Sequence, residues 1–102
     1  MRLTPLEAPP KISPFEFSSQ LKAGDKASAA CLASGSPPLA FKWLKEGREV
    51  EGTGASITST EDFSTLVIKN ARREDAGNYT CVVSNGLGSE SHTARLRITC
   101  ES

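Results

Sequence analysis

The sequence predicts an all-β protein in which two antiparallel sheets pack face to face as a sandwich. Three observations carry this. Five short runs place apolar residues at every second position, so each strand has one core face and one solvated face. Gly, Pro, Asn and Asp separate the runs. Cys31 and Cys81 flank Trp43, and Tyr79 stands two residues before Cys81.

Residues 1–9 hold Pro5 and Pro9 and no periodic pattern, which is the signature of a tail or linker. The folded domain is expected over residues 10–99, with 100–102 trailing from it. Pro14 interrupts the first β-prone run. Proline cannot donate to a ladder, so this run is expected to be a kinked edge strand. In residues 27–33, Ala27, Ala29, Cys31 and Ala33 share one face. In 41–45, Phe41 and Trp43 oppose Lys42 and Leu44. In 65–69, Leu66 and Ile68 oppose Thr65, Val67 and Lys69. In 78–84, Tyr79, Cys81 and Val83 alternate with Asn78, Thr80, Val82 and Ser84. In 93–99, Ala94, Leu96 and Ile98 alternate with Thr93, Arg95, Arg97 and Thr99. Residues 34–38 (Ser-Gly-Ser-Pro-Pro) and Glu46-Gly47 are turns, and Asn85-Gly86-Leu87-Gly88 closes a hairpin. Residues 70–76 form at most one helical turn.

The bulk numbers narrow the function. A chain of 102 residues is one domain and buries only about two-thirds of its unfolded surface. Twelve Lys+Arg balance twelve Asp+Glu, so the basic excess of a nucleic-acid binder is absent. No apolar run approaches the roughly 20 residues of a membrane span. Pro5 and Glu7 break the N-terminus before a secretory signal can form. The domain is therefore expected to be an excerpt without direct membrane contact, its anchor elsewhere and Met1 an added start residue.

Catalysis and cofactors are not expected. His92 is the one histidine, placed near the start of the last strand, and a lone histidine is usually a surface residue. Glu61-Asp62 and Glu74-Asp75 supply too few oxygens for calcium, which takes about six to eight. Arg72-Arg73, next to Glu74-Asp75, is expected to form a local ion-pair cluster of small energetic value. Three cysteines leave at least one without an internal partner. Cys100 is then either a free thiol near the chain's end or one half of a bond to another molecule or segment.

The Cys31…Trp43…Cys81 spacing with Tyr79 resembles the immunoglobulin signature. Leu66-Val67-Ile68-Lys69-Asn70-Ala71, the stretch from Glu74-Asp75-Ala76-Gly77 to Cys81, and Asn85-Gly86-Leu87-Gly88 are similar to intermediate-set (I-set) immunoglobulin domains of cell-adhesion receptors. The resemblance implies a Cys31–Cys81 disulfide joining the sheets, with the Trp43 indole packed against it. It implies that Leu66, Asp75 and Gly77 belong to the signature, that the Tyr79 hydroxyl bonds back to the corner backbone, and that Asp75 pairs with a nearby cation. Pro9-Pro10-Lys11-Ile12-Ser13-Pro14-Phe15 and Gly35-Ser36-Pro37-Pro38 resemble the Down syndrome cell adhesion molecules of arthropods. Within that family the similarity is to the seventh domain of long forms and the first domain of shortened chelicerate forms. Such a domain implies a cell-surface ectodomain, neighbouring immunoglobulin or fibronectin-type domains, and binding to its own kind. Asn78-Tyr79-Thr80 is an N-glycosylation pattern with Asn78 facing outward.

The two outer faces differ in charge. The sheet of the Trp43 and Tyr79 strands is expected to expose Lys42, Leu44, Thr80, Val82, Thr93, Arg95 and Arg97, with no acid among them. The other exposes Ser28, Ala30 and Leu32 from one strand, Thr65, Val67 and Lys69 from another, and Ser56 and Thr58 from a third. Two-fold self-binding puts one patch against its own image, which favours the nearly uncharged face. Weak homophilic, antiparallel association through the family's A, B, E and D strands is therefore the leading expectation. Binding to a different partner, or a spacer role in an array, are the alternatives.

Overall fold

The structure, a computed structural model, describes residues 8–17, 21–50 and 55–99. Cys100 and residues 1–7 of the expected tail lie outside the described residues. The strands are β1 (Lys11–Ser13), β2 (Leu21–Lys22), β3 (Ala27–Ser34), β4 (Ala40–Lys45), β5 (Arg48–Glu49), β6 (Ser56–Ser59) and β7 (Phe63–Ile68). A 3-10 turn at Arg73–Asp75 leads into β8 (Gly77–Asn85), β9 (Gly88–Leu96) and β10 (Ile98–Thr99). One sheet has the order β1-β3-β7-β6 and the other β5-β4-β8-β9. All pairings within these two sheets are antiparallel.

A third, short pairing departs from the sequence expectation of antiparallel strands alone. The run 93–99 is not one strand: β9 ends at Leu96, and β10 pairs parallel with β2 in the register Ile98↔Leu21 and Thr99↔Lys22. A parallel partner from the far end of the chain leaves no hairpin signature for a local pattern to reveal. β5 was likewise not expected. It holds only Arg48 and Glu49, both exposed, after a turn in which Glu46 and Gly47 have φ of 51° and 84°. Positive φ at both central residues is what a tight hairpin turn compatible with strand twist requires.

The core lies between the two four-stranded sheets. Alternation places Ala27, Ala29 and Cys31 of β3 and Ser64, Leu66 and Ile68 of β7 inward, against Trp43, Tyr79, Cys81 and Val83. Cys31 and Cys81 form a disulfide between the sheets, with Cα atoms 6.4 Å apart and a sequence separation of 50. Trp43 is in register with Cys81, so the indole is its neighbour on the adjoining strand. Its ring meets Phe15 edge-on at 5.4 Å, and Phe17 meets Tyr79 the same way at 5.4 Å. The segment after β1 thus seals the core with two aromatic rings. Ser64 is fully buried because it works as a hydrogen-bond relay: Trp43 Nε1–H donates to its Oγ at 2.9 Å, and its hydroxyl shares a 2.8 Å bond with Ser59. A buried indole N–H without such a partner would cost on the order of 1–3 kcal/mol.

Tyr79 is 2% exposed, and its hydroxyl donates to the Asp75 carbonyl at 2.6 Å. Burial, then the negative charges of Asp75 and Glu46, push its pKa up to about 12. The folded state therefore holds this proton more tightly than the unfolded chain, whose tyrosine titrates near 10. The associated stability is fully present below pH ~10 and is lost as pH rises toward ~12. Alkaline denaturation followed together with tyrosinate absorbance should show Tyr79 ionising with unfolding, and Tyr79→Phe should flatten the stability loss in that window.

Candidate functional site

The outer face of the β1-β3-β7-β6 sheet is built by the same alternation that fills the core. With Leu66 and Ile68 inward, Phe63, Thr65 and Val67 must point outward. Register then sets the rows. Ser28, Val67 and Ser56 lie side by side across β3, β7 and β6, and Ala30, Thr65 and Thr58 form the next row. Ser13, Leu32 and Phe63 form the row after that. Lys69 follows β7 at one end and is exposed. The eight residues expected on this face from sequence are therefore placed on one sheet: seven lie within β3, β6 and β7, and Lys69 just beyond β7.

The structure adds Phe63, since β7 begins two residues before Thr65. Phe63 is half-buried and directly opposite Leu32, itself 49% exposed. With Val67 four residues further along β7, two rows on, they make a small apolar patch framed by Ser and Thr. The signal was available: continuing the alternation two positions back from Thr65 gives Phe63 on the outer side.

The opposite outer face is more polar. Lys42 and Leu44 of β4 pair with Val82 and Thr80 of β8, and Asn78 and Thr80 pair with Arg95 and Thr93 of β9. The Thr80 and Thr93 hydroxyls are 2.7 Å apart. The expectation that this face carries no acid is corrected. Glu49 of β5 pairs with Leu44 in register and reaches Lys42 at 3.7 Å. Arg97 lies past the end of β9, exposed between β9 and β10. Asn78 is exposed on β8, with its backbone N–H given to the Glu46 carboxylate at 2.9 Å. It lies on the sheet opposite the apolar patch.

The corner residues are placed as follows. Gly77 opens β8 with φ of 146°, and a Cβ there would lie 2.5 Å from Glu46 Oε2. The Asp75 carboxylate accepts the Arg72 backbone N–H at 2.8 Å. The Glu74 carbonyl accepts from Lys45 Nζ, a second backbone contact at this corner. His92 is not a surface residue near a strand start. It sits within β9, half-buried, 4.7 Å from Phe15 ring to ring and 3.0 Å from the Phe15 carbonyl through Nε2. That packing gives it a structural place.

The profile of the Immunoglobulin I-set domain family matches residues 10–98. Among curated proteins, the chain is 36% identical over 96 residues to human "Leucine-rich repeats and immunoglobulin-like domains protein 1", covering 94% of the chain and 9% of that protein. It is 34% identical over 93 residues to "Cell adhesion molecule Dscam2" of Drosophila melanogaster, covering 88% of the chain and 4% of that protein. The chain thus spans under a tenth of the length of these relatives. Among solved structures, the Dscam1 Ig7 domain, isoform 5, superposes with a TM-score of 0.86 at 26% identity, covering 91% of this chain and 99% of that one. A three-domain titin fragment, I67-I69, gives 0.85 at 31% identity, covering 93% of this chain and 34% of that one.

Proposed function

Because this chain belongs to the immunoglobulin I-set family, we propose that it is an extracellular recognition module that binds a second copy of itself through the outer face of the β1-β3-β7-β6 sheet. The observation that carries the reading is the apolar patch of Leu32, Phe63 and Val67 within a ring of small polar residues. An isologous contact places this patch on its own image, where uncharged groups meet without repulsion. Interface centres are depleted in charge for the same reason. Homology to proteins named cell adhesion molecules supports adhesion as the setting. The Cys31–Cys81 disulfide suits an oxidising extracellular compartment. A glycan on Asn78 would project from the opposite sheet and leave the apolar patch open.

In the whole protein, further immunoglobulin or fibronectin-type domains flank this one and tie it to the cell surface. A single patch of this size binds weakly, and arrays raise the strength through avidity. A spacer role is the second reading, favoured by the likeness to a titin fragment of three such domains. Beads coated with this domain separate the two, since only the adhesive reading predicts that they cluster.

Val67→Asp tests the face directly. It buries a carboxylate within the apolar patch, so sedimentation should find the variant monomeric at concentrations where the parent chain self-associates. Its unfolding midpoint should move little, because Val67 is only half-buried. Unchanged self-association would refute the placement.

A further inference from the structure

The end of β9 carries two arginines that the fold leaves without a counter-ion. Arg95 and Arg97 are both exposed. They stand two residues apart in near-extended chain, so their Cα atoms are separated by about 7 Å. Among the described residues, neither guanidinium has an ion-pair or hydrogen-bond partner. The acids at this end of the sandwich are engaged by backbone donors instead. Asp75 accepts the Arg72 N–H at 2.8 Å, Glu46 the Asn78 N–H at 2.9 Å, and Asp25 the Lys22 N–H at 2.9 Å.

Both arginines line two clefts. The larger, of about 440 Å³, runs between β9 and the segment 15–17, with His92 and Thr93 in its wall and Glu16 as the one acid among its lining residues. The smaller, of about 290 Å³, lies between the end of β9 and the approach to β8 at Ala76 and Gly77, and no acid lines it. A guanidinium presents a planar fork of donors that fits the oxygens of a sulfate or phosphate. Two such forks shared by two clefts suit a chain bearing several anionic groups better than a single small anion. Nucleic acid would ask for a basic excess, and the chain has none. Anionic lipid is concentrated on the cytoplasmic leaflet. In an extracellular setting the remaining polyanion is a sulfated polysaccharide.

We propose that Arg95 and Arg97 form a binding site for a sulfated glycosaminoglycan chain of the heparin type, with sulfates seated in the two clefts and Glu16 limiting the affinity. This rests on the extracellular setting proposed above and is independent of self-binding. β9 is the edge of the sheet opposite the apolar patch, so a polysaccharide held there leaves that patch open. One pair of arginines binds weakly, and several such domains along one sulfated chain gain strength through avidity.

The test uses the 102-residue chain made without glycosylation, because Asn78 stands opposite Arg95 in register. At about 0.15 M salt the parent should bind a heparin oligosaccharide, with an affinity that falls as salt rises, and should not bind unsulfated hyaluronan. Arg95→Gln with Arg97→Gln should bind heparin about tenfold or more weakly. Its unfolding midpoint should match the parent, since both side chains are exposed. A control with Lys11→Gln and Lys42→Gln removes the same charge from exposed positions outside both clefts, and should stay within about twofold of the parent. Glu16→Gln should bind about threefold more tightly, a gain that misfolding cannot produce. A parent that ignores heparin, an arginine variant that binds like the parent, or a control that loses as much would overturn the site and leave self-association untouched. A Glu16→Gln that binds like the parent would overturn the placement in the larger cleft. Equal binding to phosphatidylserine vesicles would assign the clefts to a lipid surface and overturn the polysaccharide.

Discussion

Replacing Cys31 and Cys81 together by alanine should lower the unfolding free energy by roughly 4 kcal/mol. The bridge closes a loop with a sequence separation of 50, and loop-closure entropy of that length accounts for most of the effect. For a domain near 100 residues, each kcal/mol moves the midpoint by about 4–8 °C, so the thermal transition should fall by on the order of 20 °C. The loss should be larger than in a sandwich with bulky core strands, because β3 contributes only Ala27, Ala29 and the sulfur of Cys31 to the fully buried layer. Without the bridge, those small side chains hold the two sheets with little apolar area. Calorimetry of the double variant against the oxidised parent measures this directly. A shift of only a few degrees would mean that the aromatic seal of Phe15, Phe17 and Trp43 holds the sheets together by itself.

The second large effect separates two adjacent residues. Leu66→Ala removes a side chain with 0% exposure between the sheets and should cost about 2–5 kcal/mol, with the spread set by how far the core can collapse into the space. Val67→Ala, one position on, should cost well under half of that, because Val67 faces outward and is half-buried. The two variants should exchange roles in association, Leu66→Ala leaving self-binding of the folded fraction intact and Val67→Ala weakening it. Denaturant unfolding and sedimentation on the same pair of proteins check both halves. Equal stability losses would mean that the β7 alternation is misplaced by one residue, since a slip of one exchanges the two faces.

Where alternation was long and one-sided, sequence and structure agree residue by residue. β3, β4, β7 and β8 each place the expected apolar set inward, and the hairpin at Asn85-Gly86-Leu87-Gly88 joins β8 to β9 as its turn residues require. The rest lacked a local signal. β5 is two exposed charged residues, so neither its strand nor the Glu49 it sets beside Lys42 could be read from periodicity. The β2–β10 pairing joins residues from opposite ends of the chain and shows only in three dimensions. Ser64 broke the apolar pattern of β7 because its burial depends on the Trp43 indole arriving from another sheet. The candidate face was legible in outline for the same reason as the core, being the other half of the same alternation. Its strongest apolar pair, Leu32 with Phe63, depended on register between strands distant in sequence.

The parallel β2–β10 pair also fixes how the domain bears a pull on its two ends. β2 is reached from the N-terminal side and β10 leads out toward the C-terminus, with both running the same way. Tension therefore slides one strand along the other, loading the Ala23 N–H to Thr99 carbonyl bond at 3.2 Å and the Thr99 hydroxyl to Leu21 carbonyl bond at 3.0 Å at the same time. Bonds strained in concert resist rupture better than bonds opened one after another like a zip. This short clasp should let the sandwich carry load applied through its two ends before its sheets part.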